Sequence, residues 1–324
     1  MVKIRSLKNE DIDRCVKLLR LGHDKSFTRQ RFEWLHFRSP LSPSIMAVAE
    51  DQGQIVGLYS AIKKHVLINE KMYVGARDVD PVVHPDYRKK GIFFRLIDYC
   101  LNNDGEVDFH FNFANDISSR GYIKAGWKEI GHIPECVCQV NYDRVLSKGF
   151  LLYFIGRLKY LRSGSDWKWV ERLSEKDLTG LAADNRLPVS VMRSTQYLKW
   201  RYLDSPVRDY SYVVESKGNR YSKILIGRLD PKRNAFIAYD FLYRSPGNDT
   251  SIQFVFDAVR QKKYHSLRTW CTCCLNIRSK ALRNPFNKHG GLRFMIKTKP
   301  ESKVPDAIFQ MENWMLTPGD LEFL

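Results

Sequence analysis

The chain has 324 residues, 44% hydrophobic and 27% charged, enough to bury a core in more than one lobe. No apolar run is long enough to cross a bilayer, and the opening residues MVKIRSLKNEDIDR lack the apolar centre of a signal peptide, which predicts a cytoplasmic protein. The formal net charge of +17 favours anionic partners, yet the basic residues are dispersed, which argues against a basic nucleic-acid-binding tail.

In chain order, residues 1–8 alternate like a strand. Asn9-Glu10-Asp11 then open a helix carried by Ile12, Cys15, Val16 and Leu19. A second helix is expected over Arg29–Phe37, stopped by Ser39-Pro40. Ser44–Glu50 and Gln54–Lys63 read as a hairpin across Asp51-Gln52-Gly53, and Lys71–Val83 as a long strand. A polar loop follows. Phe93, Leu96, Ile97, Cys100 and Leu101 then mark one face of a helix. Val107–Ala114 is a strand, Ile117–Ala125 a short helix, and Trp127–Ile133 leads into a last strand, Val137–Tyr142. Residues 144–170 read as an aromatic, basic helical connector packed between lobes.

The second half repeats the first. Trp34…Ser39-Pro40 and Trp200…Ser205-Pro206 share the spacing W-x4-S-P. Ala47–Glu50 matches Tyr212–Glu215, and Ile55-Val56-Gly57 resembles Leu225-Ile226-Gly227. Tyr122–Gly126 compares with Phe286–Gly290. The expected division is 1–143, 144–170 and 171–324, in an α/β (α+β) architecture with mixed sheets flanked by helices.

Seven cysteines are present, clustered as Cys136/Cys138 and Cys271/Cys273/Cys274. Neither cluster has zinc-site spacing, so reduced core cysteines are expected, with no disulfide framework and no metal.

Chemistry concentrates in Val83-His84-Pro85-Asp86-Tyr87-Arg88-Lys89-Lys90-Gly91-Ile92-Phe93. A helix start after a strand offers unpaired N–H groups and a positive dipole end, a good diphosphate cradle. Gly91 allows a close approach or a positive φ, and Arg88, Lys89 and Lys90 add charge.

Val83, Pro85, Tyr87, Arg88, Gly91 and Ile92 resemble the acyl-CoA motif V-x-P-x-[YF]-[RQ]-x-x-G-[IL]-[GA] of the GNAT acyltransferase superfamily; Phe93 departs from its small last residue. Asn115, Ser118, Tyr122, Lys124, Gly126 and Trp127 resemble the second motif, N-x-x-S-x-x-x-Y-x-K-x-G-[FW]. The resemblance covers about the first 140 residues. It implies tandem GNAT-like folds, an acetyl-CoA or other acyl-CoA donor, and N-acylation of a small amine, with an amino sugar or its nucleotide-linked form as the expected acceptor.

The resemblance also implies site roles. Val82, Val83, Arg88, Lys89, Lys90, Gly91, Ile92, Phe93, Asn115 and Ser118 would bind the cofactor, an N–H near Val82 or Val83 would polarise the thioester, and Tyr122 would protonate the leaving thiolate. Base candidates are Asp78, Asp80, His84 and Glu50. Asp78 and Asp80 lie two apart and are expected on one strand face, solvent the favoured side. The second lobe lacks this equipment: Tyr243–Ser251 has no R-x-x-G, and Leu282, Pro285 and Phe286 cannot donate a proton. Trp200, Arg201 and Tyr202 could touch the acceptor but are better read as helix packing. The alternatives are a Fem-type aminoacyl-tRNA-dependent transferase and a non-catalytic basic binding protein. Oligomeric state is not legible.

Overall fold

The structure, a computed structural model, describes all residues except 24, 104, 106, 134, 141–165, 184–186, 208, 245–252, 271–290 and 322–324. The first half runs β1 (Lys3–Ser6), α1 (Ile12–Gly22), α2 (Arg29–Phe37), β2 (Ile45–Asp51), β3 (Gln54–Ile68), β4 (Lys71–Val83), α3 (Ile92–Asn102), β5 (Phe109–Ala114), α4 (Asp116–Lys124), β6 (Lys128–Ile133) and β7 (Glu135–Gln139). Then follow β8 (Trp167–Val170), α5 (Glu175–Leu178), β9 (Ala182–Ala183), β10 (Val189–Val191), α6 (Thr195–Leu198), β11 (Ser211–Lys217), β12 (Arg220–Asp230), β13 (Ala235–Tyr243), α7 (Gln253–Gln261), β14 (Ser266–Trp270), β15 (Leu292–Thr298) and β16 (Trp314–Met315).

Local chemistry explains the helix boundaries. Thr28 caps α2 by accepting from the Arg31 N–H, and Asn115 caps α4 by accepting from the N–H groups of Ile117 and Ser118. The apolar face of α1 buries Ile12, Cys15, Val16, Leu18 and Leu19. Cys15, Cys100 and Cys136 are buried, as expected of core thiols.

Two sheets form, one with the order β1-β2-β3-β4-β5-β15-β6 and the other β7-β14-β13-β12-β11-β8. They exchange strands. β15, from the second half, lies antiparallel between β5 and β6, while β7, from the first, lies antiparallel beside β14. The last strand expected over Val137–Tyr142 is observed as β7, Glu135–Gln139, and lies in the second sheet, so each sheet draws strands from both sides of residue 143. The physical reason lies in β15, whose Phe294 and Ile296 enter one core cluster while Met295 enters another. A strand buried on both faces belongs inside a sheet, not at its edge.

The repeat is visible in space. Ala47–Glu50 and Tyr212–Glu215 lie on β2 and β11, and Gly57 and Gly227 on β3 and β12. Trp34 and Trp200 stack at 5.1 Å, and each indole donates to the other's main-chain carbonyl, at 2.9 and 3.0 Å. Trp200, Arg201 and Tyr202 are buried and serve packing. The connector at 144–170 falls largely, and Cys271, Cys273, Cys274, Leu282, Pro285, Phe286 and most of Tyr243–Ser251 fall, outside the described residues.

Candidate active site

The first sheet opens at its centre. β4 and β5 run parallel and pair at Gly75↔Phe109, Ala76↔His110 and Arg77↔Phe111, after which the ladder ends although both strands continue. On its other side β4 carries a bulge, with Leu58 opposite Val82 but Ser60 opposite Val79. Asp80 lies within it at φ 49. Beyond the bulge the His84 N–H reaches the Val56 carbonyl at 2.9 Å. Antiparallel alternation then turns the peptide groups of Val83 away from β3, toward the gap. The Arg88 Nε donates to the Val83 carbonyl on that side at 3.2 Å.

The loop after β4 ends in a helix start of the expected kind. Lys89 and Gly91 both take positive φ, 62 and 73, and a Cβ at Gly91 would meet nothing within 4 Å. The first helical hydrogen bond runs from the Arg95 N–H to the Gly91 carbonyl. The amides of Ile92, Phe93 and Phe94 thus precede any intrahelical acceptor, at the positive end of α3. Arg88, Lys89 and Lys90 are exposed around them. Tyr87 donates to Asp51 at 3.0 Å and lies 4.7 Å from the Lys90 ammonium, which braces the loop.

Phe93, the departure from the motif, leaves this turn undisturbed. Its ring packs on Gly121, where a Cβ would stand 3.0 Å from it, and edge-on to Tyr122 at 5.4 Å. Asn115 and Ser118 form a reciprocal cap: Ser118 Oγ accepts from the Asn115 N–H at 3.1 Å.

Behind α4 lies a buried polar cluster. Tyr122 is 0% exposed, between Phe93 and Trp127, the latter at 4.9 Å. Asp78 is 1% exposed; it accepts from the Tyr59 hydroxyl and stands 3.2 Å from His110 Nδ1. Burial raises the Asp78 carboxyl above the usual carboxylate range, against the opposing pull of His110 and Tyr59. Burial, then the Asp78 charge, raises the Tyr122 phenol well above its ordinary value.

The expectation that Asp78 faces solvent is corrected: strand burial encloses it, while Asp80, displaced by the bulge, is half-exposed. His84 caps the short turn after β4, and Glu50 accepts from Arg5 at 2.7 Å. Sequence reasoning missed His110. Its signal was available in Phe109-His110-Phe111-Asn112-Phe113, where polar residues alternate with buried rings. Among the described residues, no group of three His, Cys, Asp or Glu could hold a metal. Among the described residues, no helix is long and apolar enough to cross a membrane.

Residues 3–130 match the family model described as an acetyltransferase (GNAT) domain. No curated protein sequence matches the chain. The fold is similar to a GCN5-related N-acetyltransferase from Anabaena variabilis ATCC 29413, with TM-score 0.63 and 11% identity over 92% of this chain and 73% of that one. It is similar to another from Kribbella flavida, with TM-score 0.61 and 10% identity over 92% and 71%. Saccharomyces cerevisiae N-myristoyltransferase, solved with myristoyl-CoA, gives TM-score 0.57 and 11% identity over 92% and 80%. At such identities these likenesses show a shared fold. The motif and the opened sheet agree with the GNAT acetyltransferase-domain match over residues 3–130, and the chain has the fold of the GCN5-related N-acetyltransferases.

Proposed function

We propose that the chain transfers an acetyl group from acetyl-CoA to the primary amine of a small molecule by direct attack. The observation that carries this reading is the end of β4–β5 pairing at Arg77↔Phe111, beside a helix that Gly91 opens. The amides of Ile92 and Phe93, with Arg88, Lys89 and Lys90, grip the diphosphate. The Val83 N–H, turned into the gap, polarises the thioester carbonyl. Asn115 and Ser118 shape the start of α4 along the pantetheine arm.

Tyr122 is the general acid. Its raised pKa keeps it protonated throughout the neutral range, the state a proton donor needs. Asp80, half-exposed in the bulge, is the base placed to receive a proton from the incoming amine. The surface charge suits a phosphorylated acceptor such as a nucleotide-linked amino sugar. The test is an amine panel with acetyl-CoA, followed by free CoA thiol. Release with amino sugars supports the reading in full. Release with other amines keeps the transfer and removes the acceptor. Thermal stabilisation by charged tRNA but not by acetyl-CoA would favour the aminoacyl-tRNA alternative.

A further inference from the structure

Tyr122 can donate a proton only to an atom within hydrogen-bond reach. The structure gives its hydroxyl no such access. Tyr122 is 0% exposed, and among the described residues its hydroxyl has no hydrogen-bond partner. A buried donor left without a partner is uncommon and costly. Here it belongs to the residue that acyl transfer asks to touch the leaving sulfur. Something that covers Tyr122 must therefore move.

Two rings lie edge-on to Tyr122: Trp127 at 4.9 Å and Phe93 at 5.4 Å. Trp127 is 3% exposed, and its main-chain N–H donates to the Tyr122 carbonyl at 3.0 Å, so it stays with α4. Phe93 is half-buried and comes from α3, so its ring can turn without any change in α4. Its seat is Gly121, where a Cβ would stand 3.0 Å from the ring. A glycine inside a helix costs stability relative to alanine, and at this position it leaves room for that ring. Helix α3 follows β4 and α4 follows β5, the two strands that separate. A side chain of α3 resting on α4 therefore bridges the mouth of the gap.

Phe93 also belongs to the diphosphate cradle. Its N–H is one of the amides at the start of α3, ahead of the first helical hydrogen bond from Arg95 to Gly91. One residue thus offers its main chain to the diphosphate and lays its side chain over the acid. We propose that Phe93 makes Tyr122 available only to a donor that carries a diphosphate. This rests on the acyl-transfer reading above. The diphosphate fixes the Phe93 main chain, the ring leaves Gly121, and the sulfur reaches the hydroxyl. Phe93 makes and breaks no bond; it is a positioning residue. The consequence is selectivity among donors: a thioester without the diphosphate meets a covered acid, whatever its acyl group. Binding energy from the far end of the donor is thereby used at the reacting end.

Hydroxyl-radical footprinting of the full chain, mapped by mass spectrometry, reads ring exposure at Tyr122 without turnover. ADP serves as the diphosphate probe. In the wild type, Tyr122 should be protected alone, and its oxidation should rise about threefold at saturating ADP. In Phe93→Ala, oxidation should stand at the higher level with or without ADP. The wild-type arm needs no variant, so it decides the matter even where Phe93→Ala fails to fold.

The kinetic arm follows thiol release from S-acetyl-N-acetylcysteamine, a thioester without the diphosphate, with the panel amine that reacts fastest. Added ADP should raise wild-type kcat on this donor about fivefold. Phe93→Ala should reach that rate unaided and change by no more than about twofold when ADP is added. A wild-type Tyr122 that stays protected while ADP gives calorimetric heat would overturn the proposal. So would a truncated donor indifferent both to ADP and to Phe93→Ala. Wild-type protein that gives no heat with ADP, CoA or acetyl-CoA would instead overturn the acyl-transfer reading, and this proposal with it.

Discussion

The two sheets are built to one plan and use their buried acids differently. β1-β2-β3-β4-β5-β15 corresponds strand by strand to β8-β11-β12-β13-β14-β7, each with a bulged fourth strand, one parallel pair and a sixth strand borrowed from the other half. The fourth strand of each buries an aspartate, Asp78 in β4 and Asp240 in β13. Asp240 is locked. Arg193 grips both its oxygens at 3.0 Å, Thr317 donates at 2.6 Å, and the Tyr202 hydroxyl adds a further hydrogen bond. Arg193 also donates to Asp320 at 2.8 Å, tying the segment after β16 to the same point. Burial works against the Arg193 charge, and Asp240 with Asp320 more than offset it. Asp78 has one hydrogen bond from Tyr59 and a histidine contact in place of a bidentate guanidinium, and burial lifts its pKa. Asp240 is thus held as a counter-ion to arginine, whereas Asp78 is held by a phenol and an imidazole.

The largest effect should come from unlocking the second lobe. Arg193→Ala leaves Asp240 and Asp320 buried without their counter-charge and should cost about 3–5 kcal/mol of stability, read by chemical denaturation. In the first lobe, Tyr122→Phe keeps the ring packing and removes the proton donor. It should lower kcat on the order of a hundredfold while leaving acetyl-CoA affinity near that of the wild type. Unchanged turnover would remove Tyr122 from the mechanism.

A pH titration of stability sharpens the contrast between the acids. Asp78 has a folded pKa above its unfolded value, so the native state binds the extra proton, and stability falls as pH rises from near 3.8 through the raised value. Asp78→Asn should flatten that part of the curve. Asp11 supplies the opposite sign: hydrogen bonds from Arg5 at 2.6 and 2.9 Å lower its pKa, so its contribution is present above the unfolded value and is lost on acidification. The smallest effect is Gly91→Ala, which costs about 1 kcal/mol through the positive φ alone, since nothing crowds the added methyl.

Much of the first lobe was legible because its signals are local. Arg29–Phe37 and Lys71–Val83 match the observed elements end to end, and the Gly91 turn follows from one glycine between a strand and an apolar helix face. The strand exchange was not, because pairing of β15 with β5 depends on contacts between segments about 180 residues apart in sequence. The burial of Asp78 was hidden for a related reason. Alternation places a residue on a face, but the β4 bulge and the helices covering the strand decide what that face meets. His110 carried no motif, only a polar position among buried phenylalanines.

The account stands on main-chain amides at the start of α3 gripping a CoA diphosphate. Isothermal calorimetry with acetyl-CoA, on the wild type and on a variant with Arg88, Lys89 and Lys90 changed to alanine, tests this most directly. The predicted result is saturable one-to-one binding to the wild type, weakened at least tenfold in a variant that still unfolds in one cooperative transition. Wild-type protein that gives no heat with acetyl-CoA or free CoA would contradict it.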